Sequence, residues 1–267
     1  MQSIRSCARA VWGRRLDGRL RLSRERASWA YDPPMCRRFA QLPLFDKAQS
    51  PWPELADDLS QMSANNNLAP TQRAAVVMGD GDKLQLTKLR WGLIPPWAKD
   101  LGGSYSTINA RIETLSTKPA FRAAWKASRR CLIPMAGYYE WPESGRTKDA
   151  YFVHRADRQQ LYAAALWEPC HPLQDPAEAG SCTIITHQAL AGAVELHDRM
   201  PVLLDPASAR RWLTASSVEA MTMLIAAEIP ALEVNPVSGD GNIARNLGMH
   251  GTLEAEEQAS EDQVSVA

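Results

Sequence analysis

The chain has 267 residues, of which 45% are apolar and 22% charged, and its formal net charge is zero. This length allows one large domain or two small ones with a sizeable core, and the composition is that of an ordinary globular protein. No apolar run approaches the roughly 18 residues that a membrane-spanning helix requires, so we expect no such helix and no membrane partner. The neutral balance excludes a general basic footprint for nucleic acid, so any such site must be a local groove.

Cysteine and histidine usage limits the chemistry further. The five cysteines form no C-x-x-C pair, and the five histidines lack the spacing of metal ligands. An odd number of cysteines in a chain with a large core predicts reduced thiols in a cytoplasmic protein. We therefore expect no metal site and no cofactor, and nothing in the sequence indicates an obligate oligomer, so we expect a monomer.

The two ends of the chain differ from its middle. Residues 1–34 hold eight arginines and three acidic residues without a sustained apolar face. They fit a targeting segment, a disordered tail, or an extension absent from a native protein that starts at Met35. Residues 252–267 hold five acidic residues and no lysine or arginine, which predicts a disordered tail. A single domain is expected over residues 35–251.

Within this domain, apolar and alternating runs predict strands separated by turns, with occasional helices. The predicted strands span 74–78, 83–91, 130–134, 137–141, 151–155, 161–167 and 182–186, with turns at 79–82 and 144–149. Helices are predicted over 118–127 and 205–213, the second with Asp205 as N-cap and Pro206 at its first position. Many strands with few β-α-β units predict an α+β fold, in which a mixed, largely antiparallel sheet closes toward a barrel with flanking helices.

A methionine-cysteine pair opens the segment "MCRRFAQ" at Met35. If Met35 initiates the chain and is removed, Cys36 carries a free α-amine beside its thiol. The reference pKa values, about 7.7–8.0 for the amine and about 8.5 for the thiol, make both available near neutral pH. Such an aminothiol condenses with an aldehyde, first to an imine and then to a thiazolidine ring. The alternative is a buried, inert cysteine, the usual state of a free thiol.

Three further segments place reactive groups among rigid neighbours. In "STINARIET", the Asn109 amide suits a sugar hydroxyl or carbonyl and Arg111 suits a phosphate, although a turn Asn and a surface Arg are the commoner interpretation of this segment alone. In "GYYEW", Glu140 shares a strand face with Tyr138, and desolvation there would raise its pKa toward that of a general acid/base, unless it lies at a sheet edge in water. In "LHDRMP", His197 is a candidate proton shuttle or a structural histidine bonded to Asp198.

Taken together, eight segments in this order resemble the SRAP (SOS response-associated peptidase) family, over about residues 35 to 247. They are "MCRRFAQ" (35–41), "NLAPTQ" (67–72), "RWGLIPPWAKD" (90–100), "INARIET" (108–114), "KPAFR" (118–122), "RRCLIPMAGYYEW" (129–141), "HDRMPVLL" (197–204) and "NPVS" (235–238). The resemblance implies a protein of the DNA damage response, bacterial and nucleoid-associated when bound, that crosslinks to abasic sites in single-stranded DNA through a thiazolidine.

The resemblance also implies a role for each matching residue. Cys36 would be the nucleophile that directly follows the initiator methionine, which supports Met35 as the start. Asn109 would position the sugar, Glu140 would move protons during imine formation and reversal, and His197 would assist ring opening. The DNA-binding residues would be three phosphate-gripping arginines and one aromatic that packs on nucleotides: Arg38, Arg111, Arg199 and Trp97.

The sequence departs from the family pattern at three places, and two other functions are compatible with it. Arg37 stands where the family usually has glycine, Ala98 where it often has an aromatic, and "IPMAG" where "IPADG" is commoner. The alternatives are a cysteine peptidase, possibly autoproteolytic, with His197 as its base, and a non-covalent reader of damaged or modified bases. Substitution of Cys36 separates them, because only simple binding would survive it.

Overall fold

The computed structural model describes residues 36–44, 47, 50, 52–80, 83–101, 107–141, 150–189 and 196–237. The predicted extension 1–34, the turn 144–149 and the tail 252–267 lie outside these residues. The strands are β1 Arg38–Gln41, β2 Asn65–Leu68, β3 Arg73–Asp80, β4 Lys83–Trp91, β5 Asn109–Arg111, β6 Arg130–Met135, β7 Gly137–Glu140, β8 Tyr151–Arg155, β9 Leu161–Pro169, β10 Gly180–Gln188, β11 Arg199–Pro201, β12 Leu203–Leu204 and β13 Leu232–Pro236. The helices are a 3-10 turn Pro53–Leu55, α1 Ala56–Ser60, α2 Arg122–Lys126, α3 Pro206–Thr214 and α4 Ser217–Ile225.

The strands form two sheets. One has the order β13-β8-β7-β1-β2, and the other has the order β11-β10-β4-β3-β6-β9-β12 with β5 paired to β10. Among the described strands, all pairings are antiparallel except those of β10 with β4 and with β5. The mixed, largely antiparallel α+β fold predicted from the sequence is therefore confirmed.

The larger sheet curls toward a barrel without closing as one. Because β9 pairs with both β6 and β10, the strands β3, β4, β10, β9 and β6 form a ring of pairings. The junction of β4 with β10 is short, since it consists of the pairs Ser181↔Arg90 and Cys182↔Trp91. The prediction of a sheet that closes toward a barrel is therefore confirmed, although the barrel itself is not closed. The second sheet was not predicted from the sequence.

Two large apolar clusters hold the sheets and helices together. One cluster joins both sheets and includes Phe39, Trp91 and Tyr138, with Phe39 packed edge-on against Trp91 at 4.8 Å between ring centroids. The other lies under the helices and includes Trp125 and Trp212. Burial of such aromatic side chains is the main stabilising term available to these elements.

The helices follow the local signals of the sequence, with one shortened. The Asp205 side chain accepts hydrogen bonds from the backbone N–H groups of Ala207 and Ser208, at 2.9 and 3.1 Å, so the predicted N-cap is confirmed. The helix predicted over 118–127 is regular only from Arg122, because the residues before it form turns. Its predicted apolar pair, Phe121 and Trp125, is buried.

Candidate active site

Cys36 and Glu140 meet at the edge of β1 and β7. The backbone nitrogen of Cys36 donates a hydrogen bond to Oε2 of Glu140 at 3.3 Å, although 104 residues separate them. Cys36 is 0% exposed and Glu140 is 4% exposed. The sheet-edge carboxylate in water, which the sequence left open for Glu140, is therefore wrong. A buried carboxylate against this nitrogen is suited to moving protons there.

The pairing of β1 with β7 creates this contact. In this antiparallel pair, Phe39 is opposite Tyr138 and Arg38 is opposite Tyr139. Continuing the same register by one step brings the residues before Arg38 next to Glu140. Cys36 has a φ of 42°, in the left-handed region that residues other than glycine adopt uncommonly. The backbone thus bends at Cys36, at the point where its nitrogen meets the carboxylate.

Strand β7 is covered on both faces, and its side chains alternate between them. Tyr138 belongs to the cluster that contains Cys36, whereas Tyr139 packs with Phe152 in a separate small cluster. A Cβ atom on Gly137 would lie 2.5 Å from the backbone oxygen of Val153, so β7 and β8 require glycine at this position. The predicted alternation within "GYYE" is confirmed, and the strand ends at Glu140.

The electrostatic setting of Cys36 keeps its thiol protonated. Burial raises the pKa of the Cys36 thiol well above its ordinary value, and the neighbouring Glu140 raises it further. The same surroundings raise the pKa of Tyr138, through burial first and then through Cys36 and Glu140. Both groups are therefore proton donors at neutral pH.

Asn109 and Arg111 lie on β5, at the parallel junction with β10. Asn109 is paired with Ile184 and is half-buried, whereas Arg111 is paired with Thr186 and is exposed. An exposed arginine beside a half-buried amide is the arrangement expected for a sugar-phosphate contact. Because Asn109 lies in a strand, the turn-Asn interpretation is wrong, whereas a surface Arg describes Arg111.

His197 is buried just before β11. Its Nδ1 lies 2.8 Å from Oδ1 of Asp198 and 3.1 Å from the backbone nitrogen of Arg199. The backbone N–H of Arg199 donates to this Nδ1, and the Asp198 carboxylate lies beside the same atom. The contact with Asp198 that the sequence predicted is present, and it suits a structural role as well as a proton shuttle.

Arg199 is engaged by an acidic partner that the sequence analysis did not single out. Its two terminal nitrogens lie 2.6 and 2.8 Å from the two carboxylate oxygens of Glu113, and one also donates to the backbone oxygen of Thr186 at 2.9 Å. The hydrogen bond from Arg199 lowers the pKa of Glu113. A bidentate pair of this kind is geometrically specific.

The other two predicted DNA-binding residues lie apart from these contacts. Arg38 is half-buried on β1, and its guanidinium lies 3.4 Å from the amide oxygen of Asn67. Trp97 is 48% exposed, and its indole nitrogen donates to the backbone oxygen of Pro119 at 3.2 Å. Trp97 lines a cleft of about 580 Å³ that reaches Ile108, the residue before Asn109.

Six of the eight predicted site residues thus fall into two groups on different sheets. Cys36 and Glu140 form the first, at β1 and β7. The second, around β5, β10 and β11, contains Asn109, Arg111, His197 and Arg199. The sequence analysis did not single out Tyr138 or Glu113 as site residues. Each lies two residues from a predicted site residue, Tyr138 from Glu140 and Glu113 from Arg111, and this spacing was the available signal.

The described residues contain no group of three or more histidine, cysteine, aspartate or glutamate side chains able to hold a metal ion. Likewise, none of the helices in that part of the chain combines the length and apolar character that crossing a membrane requires.

A family model and individual relatives of known name point to the same protein family. The model of the SOS response-associated peptidase (SRAP) family matches residues 35–242. The abasic site processing protein YoqW of Bacillus subtilis is 40% identical over 155 residues, covering 57% of this chain and 68% of that protein. The abasic site processing protein YedK of Escherichia coli is 30% identical, covering 80% of this chain and 97% of that protein.

Solved structures share the fold. A protein from Bordetella bronchiseptica has a TM-score of 0.63 at 23% identity, covering 76% of this chain and all of that chain. A phage-related protein from the same organism has a TM-score of 0.58 at 28% identity, covering 77% of this chain and 95% of the other.

Proposed function

The chain belongs to the SOS response-associated peptidase (SRAP) family, and on that premise we propose that it processes abasic sites by crosslinking to them through Cys36. The names of the relatives supply the substrate, DNA that has lost a base. The observation that carries the proposal is the 3.3 Å contact between the Cys36 nitrogen and Glu140. It puts a proton-transferring carboxylate against the atom that would attack the aldehyde.

The reactive form begins at Cys36. In the full chain the Cys36 nitrogen belongs to a peptide bond, and an amide cannot form an imine. Removal of residues 1–35, by initiation at Met35 and loss of that methionine or by cleavage, converts the amide into an amine. The amine would then lie beside Glu140, which favours its charged form and can accept its proton.

The reaction proceeds through two bonds to the same carbon. The amine adds to the aldehyde of the ring-opened sugar, forming a C–N bond and a hydroxyl on that carbon. Glu140 returns the amine's proton to this hydroxyl, which leaves as water while a C=N bond forms. The thiol sulfur then adds to the same carbon, and the nitrogen takes the thiol's proton, closing the thiazolidine.

The raised pKa of the Cys36 thiol fits this order of events. A thiol that stays protonated leaves the first attack to the amine and delivers its own proton in the second step. A cysteine peptidase instead needs a thiolate, which requires a lowered pKa and a partner base. Since burial and Glu140 both act in the opposite direction, the peptidase alternative is disfavoured.

The second group, together with Arg38 and Trp97, would hold the DNA. Asn109 would orient the sugar and His197 would promote its ring opening, while Arg38, Arg111 and Arg199 contact phosphates. Trp97 is exposed enough to stack on a base. We propose single-stranded DNA as the preferred form, because a base-free sugar without a paired strand is cheaply brought into a pocket.

The remaining parts of the proposal concern the whole protein. A single catalytic domain spans residues 35–251, followed by an acidic tail, and the protein acts as a monomer. It works in the bacterial cytoplasm, on the nucleoid when bound to DNA.

The test compares two purified forms, the 267-residue chain and a chain that starts at Cys36. Each is incubated with single-stranded DNA carrying one abasic site and is then run on a denaturing gel without borohydride. The form that starts at Cys36 should give a stable adduct, and the longer one should be inert unless cut. Cys36→Ala should abolish the stable adduct, whereas Cys170→Ala, at a free thiol on another part of the molecule, should not.

Three results would contradict the proposal. Equal crosslinking by the uncut chain would show that the α-amine is not the nucleophile. Unchanged binding with no adduct would favour a non-covalent reader. Cleavage of a peptide substrate by the form that starts at Cys36 would favour the peptidase.

A further inference from the structure

The hydroxyl of Tyr138 is buried and makes no hydrogen bond within the described structure. Tyr138 is 1% exposed, and its oxygen has no hydrogen-bond partner among the described residues. Burying a hydroxyl without a partner costs free energy that a phenylalanine ring of the same shape would avoid. Such an atom suggests a partner that arrives later.

The neighbouring residue shows the ordinary alternative. Tyr139 is also buried, but it faces away from Cys36, and its hydroxyl donates to the backbone oxygen of Asn66 at 2.6 Å. That hydroxyl is therefore accounted for by the fold. Two adjacent tyrosines on one strand thus differ in whether the protein itself satisfies them.

The position of Tyr138 indicates what the missing partner would be. It lies on the same face of β7 as Glu140, two residues earlier, and in the same apolar cluster as Cys36. Burial raises the pKa of the Tyr138 hydroxyl most, and the charges of Cys36 and Glu140 raise it further. The hydroxyl is therefore protonated at neutral pH and belongs to the same buried cluster as Cys36, on the strand face that carries Glu140.

We infer that the Tyr138 hydroxyl is a further catalytic group, which donates a hydrogen bond to the oxygen of the reacting aldehyde. The inference rests on the proposed crosslinking function. As the Cys36 nitrogen adds, the carbonyl oxygen gains negative charge, and the hydrogen bond stabilises it. Tyr138 keeps its own proton, so Glu140 still supplies the proton with which this oxygen leaves as water.

The experiment exchanges each tyrosine for phenylalanine in the chain that starts at Cys36. Single-turnover rates of adduct formation are measured with saturating abasic single-stranded DNA. Affinity is measured separately with a tetrahydrofuran analogue, which lacks the oxygen on the reacting carbon. Thermal unfolding of each variant is recorded alongside.

We expect Tyr138→Phe to slow adduct formation about fivefold to tenfold, the loss that one hydrogen bond to a developing charge implies. Its affinity for the analogue and its melting temperature should not fall. Tyr139→Phe should give the reverse, a lower melting temperature and an unchanged rate.

The outcomes are distinct. A Tyr138→Phe rate within twofold of the parent overturns the inference, and so does an equal loss of affinity for the analogue, since that would place the hydroxyl on another part of the DNA. Absence of any adduct with the parent protein would instead defeat the proposed function itself.

Discussion

Arg199 and Glu113 form a two-pronged ion pair, with nitrogen-oxygen distances of 2.6 and 2.8 Å. The arginine side chain is 11% exposed and the carboxylate 51% exposed. Glu113 therefore binds, from the solvent side, the two terminal guanidinium nitrogens with which an arginine would bind a phosphate. A phosphate that reaches Arg199 has to displace or share this carboxylate.

Glu113→Gln should accordingly tighten binding of single-stranded DNA. The change removes a negative charge from the fork and leaves Arg199 held by the backbone oxygen of Thr186. One added phosphate contact should steepen the slope of log affinity against log salt by about 0.7. Fluorescence anisotropy between 50 and 300 mM salt (roughly the range over which such effects are large) measures it.

Glu54→Gln is the matched control, because Glu54 pairs with Arg210 at 2.6 Å in an exposed site outside the group around Arg199. It changes the net charge equally. If both variants gain the same affinity, the effect is one of overall charge, and Arg199 does not meet a phosphate.

Much of the fold was predictable because its longest strands carry their own pattern. All seven predicted strands are present, and β3 extends into the "GDGD" segment as far as Asp80, with β4 beginning at Lys83. Local capping also worked at Asp205. These features depend on alternation and turn chemistry within a few residues, which a single sequence displays.

The short strands could not be predicted, because pairing creates them. Strand β2 has the sequence "NNNL" and β5 has three residues. Neither carries a strand-forming pattern, and each is extended because β1 or β10 lies beside it. Tertiary context here overrides local preference.

The same limit applies to the site. The alternation of "GYYE" predicted that Tyr138 and Glu140 share a face. The sequence did not predict that both faces of β7 are covered, nor that Arg199 meets Glu113 across 86 residues. Distances of this kind depend on the assembled sheets.

Asp205 should make stability depend on pH through helix α3. Burial raises the pKa of this carboxyl, but hydrogen bonds from Ser208 and Ala207 outweigh it and hold the pKa below its ordinary value. Its stabilising contribution is therefore complete above the unfolded pKa, about 3.9. It is lost as the pH falls through the lower folded value.

Asp205→Ala should lower the free energy of unfolding by about 1 kcal/mol at pH 7. Asp205→Asn should retain most of the cap but lose its share of the acid dependence. Urea unfolding at several pH values between about 3 and 7, which brackets the carboxyl range, tests both. An Asn variant with the parent's full pH dependence would contradict this account.

The Cys36 thiol should alkylate slowly in the folded 267-residue chain. Iodoacetamide reacts with the thiolate, and burial and Glu140 keep Cys36 protonated. Cys170 is partly exposed and serves as the internal reference. Peptide mapping by mass spectrometry at pH 8, near the ordinary thiol pKa of about 8.5, should show Cys170 labelled first. Faster labelling of Cys36 would contradict the assigned environment.

His197→Ala should slow crosslinking mainly at the ring-opening step. The closed sugar must open before an aldehyde exists, and His197, whose Nδ1 lies 2.8 Å from Oδ1 of Asp198, is the group proposed for that proton transfer. The defect should therefore disappear with an oligonucleotide bearing an acyclic aldehyde in place of the abasic sugar. Rates on both substrates decide the matter. Equal slowing on both would assign His197 to a structural or DNA-positioning role.

Glu140→Gln should slow both crosslink formation and crosslink reversal by a similar factor. In the proposed mechanism one carboxyl moves protons in each direction, so microscopic reversibility ties the two rates together. General acid-base groups typically contribute about 10²–10⁴-fold, and a loss at the lower end of that range is expected. The amide keeps the size of the side chain and still offers an oxygen to the Cys36 nitrogen, so the folded structure and the affinity for a tetrahydrofuran analogue should be retained.

Glu233→Gln, at an exposed carboxyl on β13, is the control. Formation is followed on denaturing gels and reversal by transfer of the released DNA to an excess of trap protein. A variant slowed in one direction only would show that Glu140 orients the amine without carrying its proton.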